Sequence, residues 1–294
     1  MFVKAIEIAA AFTRPLYFIS RHYGSKDVHP GAATLFLVNA DGWALTCAHV
    51  AREVAAVREL PDRLRPFREA LSGPRQKLSQ HKHEREVARR FKITADSVID
   101  LKCSFIGCVD TMTGFELRVH SSLDIALIHF QGFKQLLCDS FPIFPRNAGE
   151  LKQGLFLCRL GFPFPEFTHF EWDSATDSIR WTTSGKSGTP RFPIEGMVTR
   201  HLADANASIV GFELSTPGLR GQSGGPAFDT DGRVWGMQSA TNHLDLDFDV
   251  DMKVKRGGHV KSVQESAFLH VGHCVHAEAL KEFMRSNGVA FAEG

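Results

Sequence analysis

Residues 215–241 read STPGLRGQSGGPAFDTDGRVWGMQSAT. Within this stretch, Gly221-Gln222-Ser223-Gly224-Gly225-Pro226 is a glycine-lined turn, tighter than a chain with a Cβ at every position tolerates. A turn of this kind aims successive backbone N–H groups at one point, where an oxyanion is stabilised. Beyond it, a short apolar run, the turn Asp231-Gly232 and the strand-like run Arg233–Ser239 follow. A serine on such a turn, followed by a hairpin, points to an all-β setting. The spacing Gly221-x-Ser223-x-Gly225 also fits the nucleophile elbow of the α/β-hydrolases, which needs a helix directly after the serine and the order Ser, Asp, His along the chain. Asp245 to Asp251 followed by His259, His270, His273 or His276 supplies that order, but the helix and the alternating strand–helix units upstream are missing.

Toward the N-terminus, residues 31–51 read GAATLFLVNADGWALTCAHVA: apolar runs Gly31–Val38 and Trp43–Thr46 flank an Asp-Gly turn, the signature of a hairpin. It ends on Thr46-Cys47-Ala48-His49-Val50. Residues 122–130, SLDIALIHF, open a buried strand with Asp124 at its start. Each of His49, Asp124 and Ser223 alone reads as a structural histidine, a turn aspartate and a flexible serine. Together they make a coherent chemistry. A serine hydroxyl is a weak nucleophile near neutral pH and needs a base within hydrogen-bond reach. Histidine suits that role, and a buried carboxylate holds the imidazole in the right tautomer.

With these residues the chain resembles the trypsin-like serine peptidases of the chymotrypsin fold, and in particular their bacterial HtrA-like branch. Smaller echoes are Leu160-Gly161-Phe162-Pro163 and Glu195-Gly196-Met197-Val198. The resemblance implies two six-stranded antiparallel β-barrels with the site in the cleft between them. To these the sequence adds a helical insertion in the N-terminal half and a C-terminal helix. The expectation is a single peptidase domain over residues 1–294: an N-terminal barrel (1–140, including the helical insertion 51–95), a C-terminal barrel (141–276) and a helix (277–288). The resemblance also implies an endopeptidase working through an acyl-enzyme, with His49 as general base, Asp124 as its orienter and Ser223 as nucleophile. The backbone N–H groups of Gly221 and Ser223 would form the oxyanion hole. Gln238-Ser239-Ala240 would pair with the main chain of a bound peptide. Pro217 would lie at the base of the first specificity pocket, where no Asp supports a preference for Arg or Lys, so a small or apolar side chain is expected. The alternative is a catalytically silent scaffold of the same fold acting as a protein-binding module, against which the ordered triad argues.

The chain has 294 residues, 43% of them hydrophobic, and a net charge of +1. That is ample for a core and gives no global field to attract nucleic acid or a membrane. Phe is used 24 times and Tyr twice, so a Phe-built core is expected. The six cysteines (Cys47, Cys103, Cys108, Cys138, Cys158 and Cys274) show no C-x-x-C pair and read as reduced thiols of a cytoplasmic protein. The runs Ala5–Phe12 and Leu16–Ser20 read as strands. No secretory leader and no membrane span is recognisable.

Residues 51–92 carry twelve Lys or Arg and six Asp or Glu at helical spacing. Pro61, Pro66 and Ser72-Gly73-Pro74 are expected to divide them into two or three helices. Their position directly after His49 suggests a docking platform for a regulatory protein, and an intracellular bacterial effector switched on by a partner fits these features. Asp245-Leu246-Asp247-Phe248-Asp249-Val250-Asp251 alternates strictly. As a strand it would place four carboxylates on one face, an edge for a basic peptide or a calcium site, although the EF-hand pattern is absent. His81, His83 and Glu84, and His270, His273, Cys274 and His276, are ligand-type residues without a complete zinc spacing. The expected partner is a protein or peptide substrate. No cofactor and no metal is expected.

Overall fold

A computed structural model describes residues 1–74 and 79–294. Of the helical segment expected over 51–92, residues 75–78 lie outside the described residues. The first sheet is built from β1 (Thr13–His22), β2 (Val28–Leu37), β3 (Trp43–Thr46), β4 (Val98–Phe105), β5 (Gly114–Val119) and β6 (Ala126–Gln131). It is an open, curled, antiparallel sheet in the order β4-β1-β2-β3-β6-β5. The short β7 (Ile143–Phe144) precedes β8 (Phe156–Gly161), and β9 (Phe170–Asp173) pairs with β10 (Ser178–Trp181) as a separate two-stranded sheet. The remaining strands are β11 (Phe192–Ala203), β12 (Ile209–Leu214), β13 (Pro226–Phe228), β14 (Val234–Arg256) and β15 (His259–His276), with β16 (Ala292–Glu293) at the end of the chain. The second sheet closes into a six-stranded barrel, β11-β12-β15-β14-β13-β8.

The hairpin read from the Asp-Gly turn is present, with Phe36 opposite Leu45 and Leu37 opposite Ala44. The same hairpin brings Ala44 opposite Ile128 on β6, so the His49 and Asp124 segments leave adjacent strands. One core cluster takes residues from both sheets, among them Phe12, Phe18, Phe36, Phe130, Phe144 and Phe228. The Phe-built core is therefore real, and it ties the two sheets together.

Two expectations about helices are corrected. Ala5–Phe12, read as a strand, is the body of helix α1 (Val3–Phe12). Ala5, Ala9 and Phe12 are buried at spacings of four and three, a helical stripe, and the alanines favour that conformation. Residues 51–72, read as broken by prolines, belong to one helix, α2 (Ala48–Ser72), which runs through Pro61 and Pro66. An interior proline costs about 3 kcal/mol through a lost hydrogen bond and a steric clash. Here tertiary packing outweighs that. Leu60, Leu64 and Phe67 are buried with Val87 and Ala88 of α3 (Gln80–Arg90), against Tyr23 and the β4 residues Val98, Ile99 and Leu101.

The acidic alternation is also corrected. Asp245 lies opposite Phe268 and Asp249 opposite Ser266, so the register shifts between them, and Asp247 takes a left-handed φ of 57°. The bulge takes Asp247 out of the ladder, so three of the four carboxylates, Asp245, Asp249 and Asp251, stay on one face, opposite Phe268, Ser266 and Gln264. β14 and β15 instead continue outward as a long two-stranded ribbon to the turn at Gly257-Gly258.

Helix α4 (Ala277–Ser286) is capped by His276, whose Nδ1 accepts from the Glu278 N–H at 3.2 Å. Burial, together with the neighbouring His201, pushes the His276 pKa down to about 4. Between pH 6.5 and 4 the unfolded chain therefore binds a proton at this residue that the folded chain refuses. Its contribution is complete above the ordinary histidine value and is lost as the pH falls toward 4. The expected loss is on the order of 3 kcal/mol. Urea midpoints measured from pH 7 to 4.5 should show this slope in the parent and a flatter one in His276→Asn, which keeps a capping oxygen. Equal slopes would refute the assignment.

Candidate active site

His49 sits in the first turn of α2, just after the buried Cys47 that precedes the helix. Asp124 stands at the entry to β6 and is half-buried. Its carboxylate accepts three donors: the His49 backbone N–H on Oδ1 at 3.0 Å, His49 Nδ1 on Oδ2 at 2.8 Å, and the Ser239 hydroxyl on Oδ2 at 2.5 Å. Burial alone would raise the Asp124 pKa, but the hydrogen bonds from His49 and Ser239 outweigh it and hold the carboxyl well below the ordinary range.

Ser223 stands on the glycine turn between two cavities. One, of about 490 Å³, is lined by Pro217, Ser223, Gln238, Ser239, Ala240 and the pair His243 and His270. The other, of about 750 Å³, is lined by His49, Glu53, Pro163, Gly221 and Ser223 among others. Arg220 borders both. The structure thus brings His49 and Ser223 to one cavity and couples His49 directly to Asp124. The Ser223 hydroxyl itself donates to the Ser239 carbonyl at 3.2 Å rather than to His49.

The turn is pinned by groups the sequence reading missed. Thr34 on β2 donates its N–H to the Ser223 carbonyl at 2.9 Å and its hydroxyl to the Gly221 carbonyl at 2.8 Å. Thr34 thus ties the first sheet to the serine turn. Gly221 has φ +99°, and a Cβ there would lie 2.7 Å from the Phe162 carbonyl oxygen, so this position requires glycine. Among the described residues, the N–H groups of Gly221 and Ser223 have no protein acceptor. The signal available in the sequence was the bare GAATLF run; nothing in it says that Thr34 reaches across to Gly221.

The residues expected to bind substrate divide in use. Gln238 engages its own N–H and C=O with Gly225 and Gly224, and its side chain accepts from Arg159 at 2.7 Å. It is therefore part of the wall. Ser239 stands at a register shift of the β14–β15 ladder and supports both Asp124 and Ser223. Arg159, wholly buried, also donates to the carbonyls of Thr216 and Pro217 at 3.0 and 3.2 Å, which fixes the chain segment that lines the cavity beside Ser223.

The ligand-type residues of β15 do not converge. His270 meets His243, Nδ1 to Nδ1, at 2.6 Å; Cys274 is buried against Gln238; and His276 caps α4. Cys47, His49 and Asp124 each offer an atom within 4.8 Å of the others. Burial pushes the Cys47 thiol well above its ordinary value, and it donates to the Gln238 carbonyl, so this group lacks a ready thiolate ligand. Among the described residues no helix is long and apolar enough to cross a membrane.

A search of curated proteins finds none that matches the sequence. Among solved structures, the fold is similar to the HtrA-type protease AlgW with decapeptide, at 12% identity and a TM-score of 0.50, over 97% of this chain and 67% of that one. AlgW with tripeptide matches at 12% identity and a TM-score of 0.48; this chain, 97% covered, spans 63% of its length. The active form of the Rv3671c protease from M. tuberculosis matches at 12% identity and a TM-score of 0.47, over 99% of this chain and 88% of that one. The family model described as the trypsin-like peptidase domain matches residues 33–237, which include His49, Asp124 and Ser223, and the chain belongs to that family.

Proposed function

We propose that the chain is a serine endopeptidase acting through an acyl-enzyme. The observation that carries this reading is His49, tied to Asp124 through Nδ1 at 2.8 Å and sharing a cavity with Ser223. Asp124 orients the ring and stabilises the imidazolium, leaving Nε2 free to take a proton from Ser223. The Ser223 hydroxyl turns from the Ser239 carbonyl toward His49 as it attacks the scissile carbonyl. The N–H groups of Gly221 and Ser223 receive the oxyanion, and His49 then returns the proton to the leaving amine. The core common to both sheets supports a single peptidase domain. The fold likeness to AlgW, held with a decapeptide, agrees with a peptide substrate.

The resting hydrogen bond of Ser223 to Ser239 favours a second reading, a silent scaffold that only binds peptide. Intact mass after exposure to a fluorophosphonate probe separates the two. One adduct on the parent and none on Ser223→Ala supports the peptidase; no adduct on either sinks it.

The pocket beside Ser223 is bordered by Arg220, His243 and His270, with no carboxylate among the residues lining it. A guanidinium donates to a carboxylate and repels an ammonium, and an imidazole N–H also donates to a carboxylate. The small or apolar preference expected from Pro217 therefore shifts toward Glu or Asp. Peptides differing only at the residue before the cleaved bond should show kcat/KM for Glu above Lys by roughly 10- to 100-fold; the reverse order would exclude this pocket. A regulatory partner on α2 and α3 would reach the site through one helix, because α2 carries His49. Such a partner would protect the α2 amides from hydrogen exchange and change kcat together; protection without a change in kcat would reject it.

A further inference from the structure

We infer that the ribbon of β14 and β15 is a self-pairing surface, and that its occupant is a second copy of this chain, joined edge to edge along β14. Inside the barrel, β14 pairs with β13 only over Val234–Met237. Beyond that point its outer edge has no strand partner among the described residues. A two-stranded ribbon of this kind is marginally stable by itself, and its unpaired N–H and C=O groups are a template for another strand.

The register says which strand fits. Past the bulge, Asp249, Asp251, Lys253 and Lys255 lie on one face, opposite Ser266, Gln264, Ser262 and Val260 of the same chain. None of these four charges has a counter-charge opposite it in its own hairpin. The other face carries Val250, Met252 and Val254, which remain 40%, 39% and 42% exposed. The sequence Asp249-Val250-Asp251-Met252-Lys253-Val254-Lys255 is a palindrome with the charge inverted about Met252. Two copies laid antiparallel about a two-fold axis at Met252 therefore place Asp249 against Lys255 and Asp251 against Lys253 of the second copy. Val250 meets Val254, and Met252 meets Met252. Every charge then faces its opposite, and the two apolar rows become continuous across a four-stranded sheet. This is the self-complementarity that a two-fold interface requires. Lysines alone would suffice to keep an edge strand from pairing; the separation of acidic and basic halves has no use there and does have one in pairing. The ribbon's root also holds His243 opposite His270, in the cavity beside Ser223, so the paired ribbon would brace that wall.

The test is sedimentation equilibrium at about 100 µM, where a small transient interface is populated. It compares the parent, Asp249→Lys/Asp251→Lys, Lys253→Asp/Lys255→Asp, and an equimolar mixture of the two variants. The parent is expected to dimerise, each variant to associate at least about tenfold more weakly, and the mixture to recover a dimer because every reversed charge again meets its opposite. All four positions are exposed, and a thermal melt of each variant establishes that it is folded. A monomeric parent, variants that dimerise as well as the parent, or a mixture that stays monomeric would each overturn the inference.

Discussion

Ser223→Ala is expected to lower kcat/KM for a cleaved peptide by on the order of 10⁵-fold, with little change in stability. The size follows from the chemistry assigned to the hydroxyl. Without it no acyl-enzyme forms, and only oxyanion stabilisation and binding remain. The small stability effect follows from its contacts. In the resting chain the hydroxyl makes one hydrogen bond, to the Ser239 carbonyl, and the turn is held by backbone groups and Thr34 instead. Loss of that one bond is worth about 1 kcal/mol. Cleavage assays and thermal melts of the purified variant make the check. A variant that is equally stable and cuts within tenfold of the parent would show that Ser223 is not the nucleophile.

The three residues proposed to do the chemistry stand out in the sequence because each sits in a local context that sequence displays. Glycines mark the Ser223 turn, an apolar run into His49 marks the end of β3, and Asp124 opens an apolar strand. The hairpin at Asp41-Gly42 was legible for the same reason, since its turn type is written in two residues. What failed was local reading against tertiary packing. Ala5–Phe12 alternates loosely enough to pass for a strand, and only the burial of Ala5, Ala9 and Phe12 against the joint core makes it α1. The prolines of α2 are breakers by propensity, yet the packing of Leu60, Leu64 and Phe67 keeps the helix whole. The bulge at Asp247 takes one of the four carboxylates out of the ladder and leaves the other three on one face, which no count of alternation reveals.

The groups that hold the site were illegible for a further reason. Thr34 lies 187 positions from Gly221, and Ser239 lies 115 from Asp124. Thr34 carries no motif of its own, Ser239 is expected from sequence only to pair with a bound peptide, and their supporting contacts exist only once the two sheets meet. Arg159, likewise, reads as an ordinary strand residue but is buried behind Gln238 and the carbonyls of Thr216 and Pro217. Support of this kind comes from closure of the fold, not from spacing along the chain.

Asp124→Asn should lower kcat by on the order of 10⁴-fold while leaving the backbone of the site in place. The carboxylate is acceptor-only and receives the His49 N–H on Oδ1, and His49 Nδ1 and the Ser239 hydroxyl on Oδ2. An amide has one oxygen. If that oxygen stays under the His49 backbone N–H, the NH₂ replaces Oδ2 and donates to Nδ1. The ring proton must then sit on Nε2, and the imidazole can no longer accept from Ser223. If the amide flips, its NH₂ opposes the backbone N–H and the first turn of α2 must move. The first arrangement keeps the backbone in place and is the one expected, because it avoids that clash; it removes the base while the aspartate's volume is kept. The acid side of the stability profile should change as well. Asp124 has a folded pKa held below its unfolded value, so its contribution is present above pH ~4 and is lost as the pH falls below that. The asparagine variant lacks this loss and should unfold with a flatter dependence below pH 4. Single-turnover kinetics with urea titrations at pH 3 and pH 6 measure both effects. Turnover within tenfold of the parent would leave the carboxylate without a catalytic function, and an unchanged acid slope would show that the hydrogen bonds from His49 and Ser239 do not hold its pKa down.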